Sequence, residues 1–256
     1  VQSFFEADLV WMNRAHTAEQ AQQGVALALN NFDNITIDLI YGVPGLTDER
    51  WHQNVNRALD FGIPHLSCYA LTVEPHTPLD KMIHKHEKKD VDSGVQSEQF
   101  LLLMNWLEKA GYEHYEISNF AKPGFRSRHN SAYWKGVPYY GFGPSAHSFN
   151  GSARRWNVAN NQKYIRIVHE DSIPFEEEVL SPLQKMNEFI MIALRTAEGI
   201  NTNLLPEKEK QYVLQQAQKH SLRGHLQQHG GMLRLTNAGK LYADGIAADL
   251  FLENVF

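Results

Sequence analysis

The stretch Asn34-Ile35-Thr36-Ile37-Asp38-Leu39-Ile40-Tyr41, followed at once by Gly42-Val43-Pro44-Gly45, decides the fold. It is β-branched and mostly apolar, bounded by Asn on one side and a Gly/Pro turn on the other, as a buried parallel strand is. Working outward, Thr47-Asp48-Glu49 opens a helix that ends at Gly62, and His65 to Glu74 is a second apolar run stopped by Pro75. Ser93 to Ala110 carries Phe100, Leu103, Met104 and Leu107 on one helical face, with Gly111 as its stop and a third strand expected at Tyr112 to Ser118. Before the central strand, Ala18 to Leu29 is rich in the helix formers Ala, Gln and Leu, and Val1-Gln2-Ser3-Phe4 reads as the end of a strand running into the helical stretch Phe5 to Asn31. Strand and helix alternating across short connections predict an α/β fold, either a barrel or an open doubly wound sheet. No GxGxxG follows a strand, so the dinucleotide-binding version loses ground.

From Asn119 to Asn161 the texture changes to Gly, Pro, Asn, Arg and aromatics without helical period, which predicts long loops around one or two extra strands such as Tyr139 to Phe149. Loops of this kind usually carry function. Beyond them, Ser181-Pro182 leads into a helix expected over Leu183 to Ala197. The segment Leu233 to Lys240, with a closing helix over Tyr242 to Phe251, resembles the wing and last helix of a winged-helix module. The expected division is a larger α/β domain over 1–170 and a smaller, mainly helical, winged-helix-like domain over 171–256.

The 256 residues are 43% hydrophobic, enough to bury a substantial core, and the net charge is −5. Lys and Arg are scattered, which argues against nucleic acid as a partner. No apolar run approaches the roughly 18 residues of a membrane span and no leader-like segment opens the chain, so the default location is cytoplasmic. The single cysteine, Cys68, excludes an internal disulfide framework and a cysteine-rich metal site. The strand-like start without Met suggests a piece whose upstream part lies elsewhere, and an open sheet edge there would invite homodimerisation or wider self-association.

Asp38 is a carboxylate inside an apolar strand, a costly position unless it is paired, and it serves equally well as a ligand group or as an acceptor for backbone N–H groups. Arg14 and Gln2 are mute by themselves, and Glu74 is either a ligand contact or a loop cap. Arg126-Ser127-Arg128-His129-Asn130-Ser131-Ala132-Tyr133-Trp134 gathers two guanidinium groups, an imidazole and two large aromatics. Imidazole ligates haem iron, flat rings stack on a porphyrin and Arg pairs with propionates, yet Tyr133 and Trp134 serve equally as core fillers and His129 as a hydrogen-bonded loop histidine. Gly141 to Ser148 packs small residues where the backbone approaches either a ligand or a neighbouring strand, and its spacing is not that of a nucleophile elbow. His84 and His86 lie in a charged run and read as solvated.

Together, Val1-Gln2-Ser3-Phe4, Asn13-Arg14-Ala15-His16, Ile37 to Gly45 and Ser67 to Pro75 resemble the second half of the radical-SAM core of the oxygen-independent coproporphyrinogen III oxidase-like family. The resemblance continues through Tyr115 to Ala121, the HNxxYW pattern at His129 to Trp134, Gly143-Pro144-Ser145-Ala146-His147-Ser148, and Leu235-Thr236 with Gly239, so it covers essentially the whole chain. It implies the C-terminal part of a partial (β/α) barrel, with Gln2, Arg14 and Asp38 contacting S-adenosylmethionine. The HNxxYW and GPSAHS patterns resemble the haem-chaperone branch. They imply haem bound by His129, Asn130, Tyr133 and Trp134, with His129 as the iron ligand and haem-acceptor proteins as partners. The alternative is the oxidase reaction, decarboxylation of coproporphyrinogen III propionates. The family's CxxxCxxC motif, which holds a 4Fe–4S cluster, is not in this chain, so the resemblance places the cluster in the full-length protein only and implies that this piece makes no radical by itself.

Overall fold

The computed structural model describes residues 1–170, 172 and 175–253. Asp171 and Phe256, the limits expected for the second domain, lie outside the described residues. The chain divides into two compact units, Val1–Ser127 and Arg128–Phe256.

The first unit runs α1 (Glu6–Trp11), α2 (Ala18–Leu29), β1 (Thr36–Tyr41), α3 (Asp48–Asp60), β2 (His65–Ala70), α4 (Pro78–His84), α5 (Ser93–Lys109), β3 (Glu113–Glu116) and β4 (Asn119–Ala121). β1 and β2 pair in parallel, as expected, in a four-stranded sheet of order β1-β2-β4-β3. The third strand differs from expectation. The stretch Tyr112 to Ser118 is cut short by a turn at Ile117-Ser118, and β4 folds back to pair antiparallel with both β3 and β2. A register shift between His114 and Glu116 accommodates the reversal.

One face of this sheet is packed. Ile37, Leu39 and Tyr41 of β1 are buried beneath α3 and α5, whose Trp51, Val55, Leu103 and Leu107 are fully buried. The Tyr41 ring stacks on Phe100 at 6.1 Å and tilts against Trp51 at 5.6 Å. The other face is open at Thr36 and Asp38, both exposed. The expectation that Asp38 is buried is therefore corrected: side chains alternate along a strand, and only the odd-numbered positions face the helices. Val1 to Phe4 form no strand, although the Ile40 N–H donates to the Gln2 carbonyl at 2.9 Å and so draws this segment alongside β1. β1 is the outer strand of the sheet.

The second unit contains α6 (Arg128–Trp134), β5 (His147–Phe149), β6 (Ala153–Asn157), α7 (Asn161–His169), β7 (Phe175–Val179), α8 (Pro182–Leu194), β8 (Ile200–Asn201), α9 (Glu207–Leu222), β9 (Leu226–His229), β10 (Met232–Leu235), α10 (Asn237–Lys240) and α11 (Ala243–Asp249). β5, β6 and β7 form one antiparallel sheet and β8, β10 and β9 another. The β9–β10 hairpin turns at Gly230-Gly231, both at positive φ, and is the wing that the sequence suggested. Ile190, Leu194, Val213, Leu233, Ile246 and Leu250 form the core beside it. The boundary expected near residue 170 falls inside this unit, because β7 pairs with β6 and ties the chain on either side of 170 together. No helix among the described residues is long and apolar enough to cross a membrane.

Candidate functional site

Two places carry the candidate residues, one in each unit. In the first unit, Asp38 projects from the open face of β1, opposite Ser67 of β2 in the parallel register. Arg14 is exposed in the connection between α1 and α2 rather than within a helix. Val1, His16 and Asp38 line one cavity. Gln2, next to Val1 in sequence, is half-buried. The structure thus draws Gln2 alongside β1, through the Ile40 N–H bond to its carbonyl, near Asp38 of the same strand. An amide, a guanidinium and a carboxylate suit the ribose hydroxyls and amino-acid end of S-adenosylmethionine.

The same sheet face holds a polar network that the sequence reading missed. His65, buried, places Nδ1 2.7 Å from the Thr36 hydroxyl and Nε2 2.7 Å from the Tyr115 hydroxyl. Burial lowers its pKa, partly offset by Asp38. Ser67 Oγ donates to Asn119 Oδ1 at 2.9 Å, and Asn119 Nδ2 donates to Glu116 Oε2 at 2.5 Å. Glu116 Oε2 also accepts from the Ser118 N–H at 3.1 Å. Burial raises the Tyr69 phenol pKa. The available signal was the alternation His65, Ser67, Tyr69 along β2, which marks a polar face rather than a strand buried in apolar surroundings on both sides.

Cys68 pairs with Leu39 in register and is buried, and burial pushes its thiol far above the usual range. A lone protonated thiol does not fit a 4Fe–4S cluster, which needs several thiolates. Among the described residues, no group of three His, Cys, Asp or Glu side chains is placed to hold a metal ion. His84 and His86 are exposed, with His84 Nε2 3.2 Å from Asp80.

In the second unit, His129, Asn130, Tyr133 and Trp134 lie on the short helix α6, where a loop was expected. The helix ends where Gly136 takes φ 64°, so that the Gly136 and Val137 N–H groups donate back to the Tyr133 and Ala132 carbonyls. His129 and Tyr133 sit one turn apart, with their rings edge to face at 5.0 Å. Tyr133 meets Tyr139 at 4.8 Å, and Tyr139 meets Phe149 at 6.2 Å. A cavity of about 570 Å³ opens beside them, lined among others by Tyr133, Trp134, Tyr139 and Phe149. Trp134 Nε1 is buried with no hydrogen-bond partner among the described residues, and the Arg195 guanidinium lies 5.5 Å from the Trp134 ring centre. His129 is exposed and is not part of the cavity wall. The aromatic walls fit a flat ring. Gly141 has the duller of its two roles: a Cβ there would fall 2.1 Å from the His147 carbonyl oxygen, so its smallness serves a neighbouring backbone.

Residues 180–242 match the family model described as the HemN C-terminal domain. The solved structure of coproporphyrinogen III oxidase (HemN) from Escherichia coli, a radical-SAM enzyme, matches over 98% of this chain and 62% of that one, with a TM-score of 0.78 and 19% identity. The fold is therefore that of a radical-SAM protein with a HemN-type C-terminal domain. The heme chaperone HemW of Mycobacterium tuberculosis (strain CDC 1551 / Oshkosh) is 32% identical over 98% of this chain and 64% of its own length. HemW of Lactococcus lactis is 34% identical over 82% of the chain and 55% of its own length. Mouse radical S-adenosyl methionine domain-containing protein 1, mitochondrial, is 29% identical over 84% of the chain and 51% of its own length. The chain belongs to the coproporphyrinogen III oxidase-like radical-SAM family, and it spans between about half and 64% of the length of these relatives.

Proposed function

We propose that this chain is the haem-handling and S-adenosylmethionine-binding part of a radical-SAM haem chaperone. The observation that carries the reading is the placement of His129 on α6, exposed and in edge contact with Tyr133, whose ring lines an aromatic cavity. An accessible imidazole beside flat rings is the arrangement that binds a haem iron and its macrocycle. The relatives described as heme chaperones, similar over up to 98% of the chain, support the same reading.

In this proposal Gln2, Arg14 and Asp38 hold S-adenosylmethionine, and His129 ligates the iron, with Asn130, Tyr133 and Trp134 beside it. The partners are haem-acceptor proteins in the cytoplasm, and the open edge of β1 permits homodimerisation. When present in the full-length protein, the cluster supplies reductive cleavage of S-adenosylmethionine. The alternative, oxidative decarboxylation of coproporphyrinogen III, rests on likeness to a solved oxidase at 19% identity, which carries the fold alone.

The test is an absorbance titration of the chain with haem beside its His129→Ala variant. A saturable Soret shift that disappears in the variant supports the reading. Equal binding by both, or by neither, overturns it and returns weight to the oxidase reaction, assayed in the full-length protein with S-adenosylmethionine and a reductant.

A further inference from the structure

The place of Arg14 is set by the way α1 ends. The Asn13 backbone is left-handed at φ 56°, its N–H donates to the Val10 carbonyl at 3.0 Å, and the Arg14 N–H donates to the Leu9 carbonyl at 2.9 Å. These two bonds close the helix and fix the direction in which the chain carrying Arg14 leaves it. α4 closes in the same way: His86 takes φ 59°, its N–H donates to the Ile83 carbonyl at 2.9 Å, and the Glu87 N–H donates to the Met82 carbonyl at 2.9 Å. Neither Asn nor His has the freedom of Gly in the left-handed region, so each closure persists only where its surroundings hold it.

Lys88, shortly after His86, joins the two ends. Its ammonium donates to the Trp11 carbonyl and lies 4.6 Å from the Trp11 ring centre. That carbonyl is one of the last in α1, where no partner exists within the helix. The N-terminal half of α1 is secured elsewhere, by the buried Asp8 carboxylate, which lies 2.8 Å from Arg50 of α3 and accepts from the Ser3 hydroxyl at 2.7 Å. α4 has no buried residue of its own, so little apolar packing holds the segment that carries Lys88. α1 follows the Val1–Phe4 segment, which lies along one side of β1, and α4 follows β2, which pairs with the other side. The Lys88–Trp11 contact therefore joins connections on both flanks of the strand that bears Asp38.

We propose that Lys88 is a positioning residue for the S-adenosylmethionine site: its clasp on Trp11 fixes the end of α1 and, through the closure at Asn13, the place of Arg14. The proposal rests on the reading in which Gln2, Arg14 and Asp38 hold S-adenosylmethionine, and it names what keeps the guanidinium in register with the strand. Lys88 itself touches no ligand. It acts through Trp11, as both a hydrogen-bond donor to the carbonyl and a cation over the ring.

The experiment compares the wild type with Lys88→Ala, Lys88→Arg and Lys89→Ala, the last removing an equal charge from the exposed neighbouring residue. Hydrogen exchange of the chain reads the clasp without any ligand. In Lys88→Ala the Arg14 amide should exchange about fivefold faster or more, while amides of α2 and α3 keep their wild-type rates. Equilibrium dialysis of the cluster-loaded full-length protein against S-adenosylmethionine reads the consequence, a dissociation constant raised about fivefold or more in Lys88→Ala. Lys88→Arg keeps a donor and a cation for the ring and should restore both readouts, and Lys89→Ala should change neither. Unchanged exchange at Arg14, unchanged affinity in Lys88→Ala, no restoration by Lys88→Arg, or an equal loss in Lys89→Ala overturns the proposal. Arg14→Ala separates it from the reading beneath it. Binding indifferent to Arg14→Ala refutes Arg14 as a ligand, and the proposal falls with it, whereas binding lost in Arg14→Ala but kept in Lys88→Ala refutes the clasp alone.

Discussion

His65, buried, links β1 to β3 across the polar face of the sheet, since its ring nitrogens meet hydroxyls of Thr36 on β1 and Tyr115 on β3. Burial depresses its pKa in the folded state, so the unfolded chain takes up the proton more readily at acid pH. The neutral ring's contribution to stability is present above the unfolded histidine value of about 6.5 and is lost as pH falls through the lower folded value. Denaturant midpoints measured from pH 7.5 downward (about one unit either side of that value) should fall more steeply for the wild type than for His65→Gln. Equal slopes would remove His65 from the acid limb. Glu116 is the second such residue: it is buried and accepts from both Asn119 and Ser118, so Glu116→Ala should cost about 2 kcal/mol in chemical denaturation. Neither residue stood out in the sequence. An isolated His or Glu has no periodic signature, and its partners lie between 2 and 50 positions away. Asp38, by contrast, was legible as an isolated carboxylate in an apolar run, although its exposure was not.

At the scale of elements, the helices were read more accurately than the strands that follow them. α2 spans the residues expected because Thr17 and Gln20 form a reciprocal capping box at its start, a device written in local sequence. Thr17→Ala should therefore lower stability by about 1 kcal/mol in a thermal or denaturant melt. α8 begins with the same arrangement at Ser181 and Gln184. The segment carrying His129 was read as a loop because about two turns of helix, flanked by Gly and Pro, give no measurable period. β4 was not expected as a separate strand, since its three residues acquire their role only by pairing with β2 and β3. On α10, just after the wing, a Cβ at Gly239 would fall 1.9 Å from the His225 carbonyl oxygen. Gly239→Ala should destabilise the second unit by about 1–3 kcal/mol, observed as earlier loss of its far-ultraviolet signal.

At the scale of the whole molecule, β1 is an outer strand, and the bond from Ile40 to Gln2 is the backbone link that its outer side makes to the N-terminal segment. Strand edges of this kind recruit further strands. Sedimentation velocity of the 256-residue chain should show a weight-average coefficient rising with concentration, and a constant monomer value would refute the expectation. What the sequence alone determined is the α/β class, the approximate limits of α2, α3, α5, α8 and α11, the wing, the family and the residues that carry its motifs, because these depend on local periodicity, capping and motif order. The tertiary structure decided that Asp38 is exposed on β1, that His65, Ser67, Glu116 and Asn119 form a buried polar network on the same side of the sheet, and that the chain parts before α6 rather than near residue 170. It also decided that His129 lies outside the cavity its neighbours line. Each of these follows from which face of an element is covered by residues distant in the chain, and burial and pairing of that kind have no expression in local sequence.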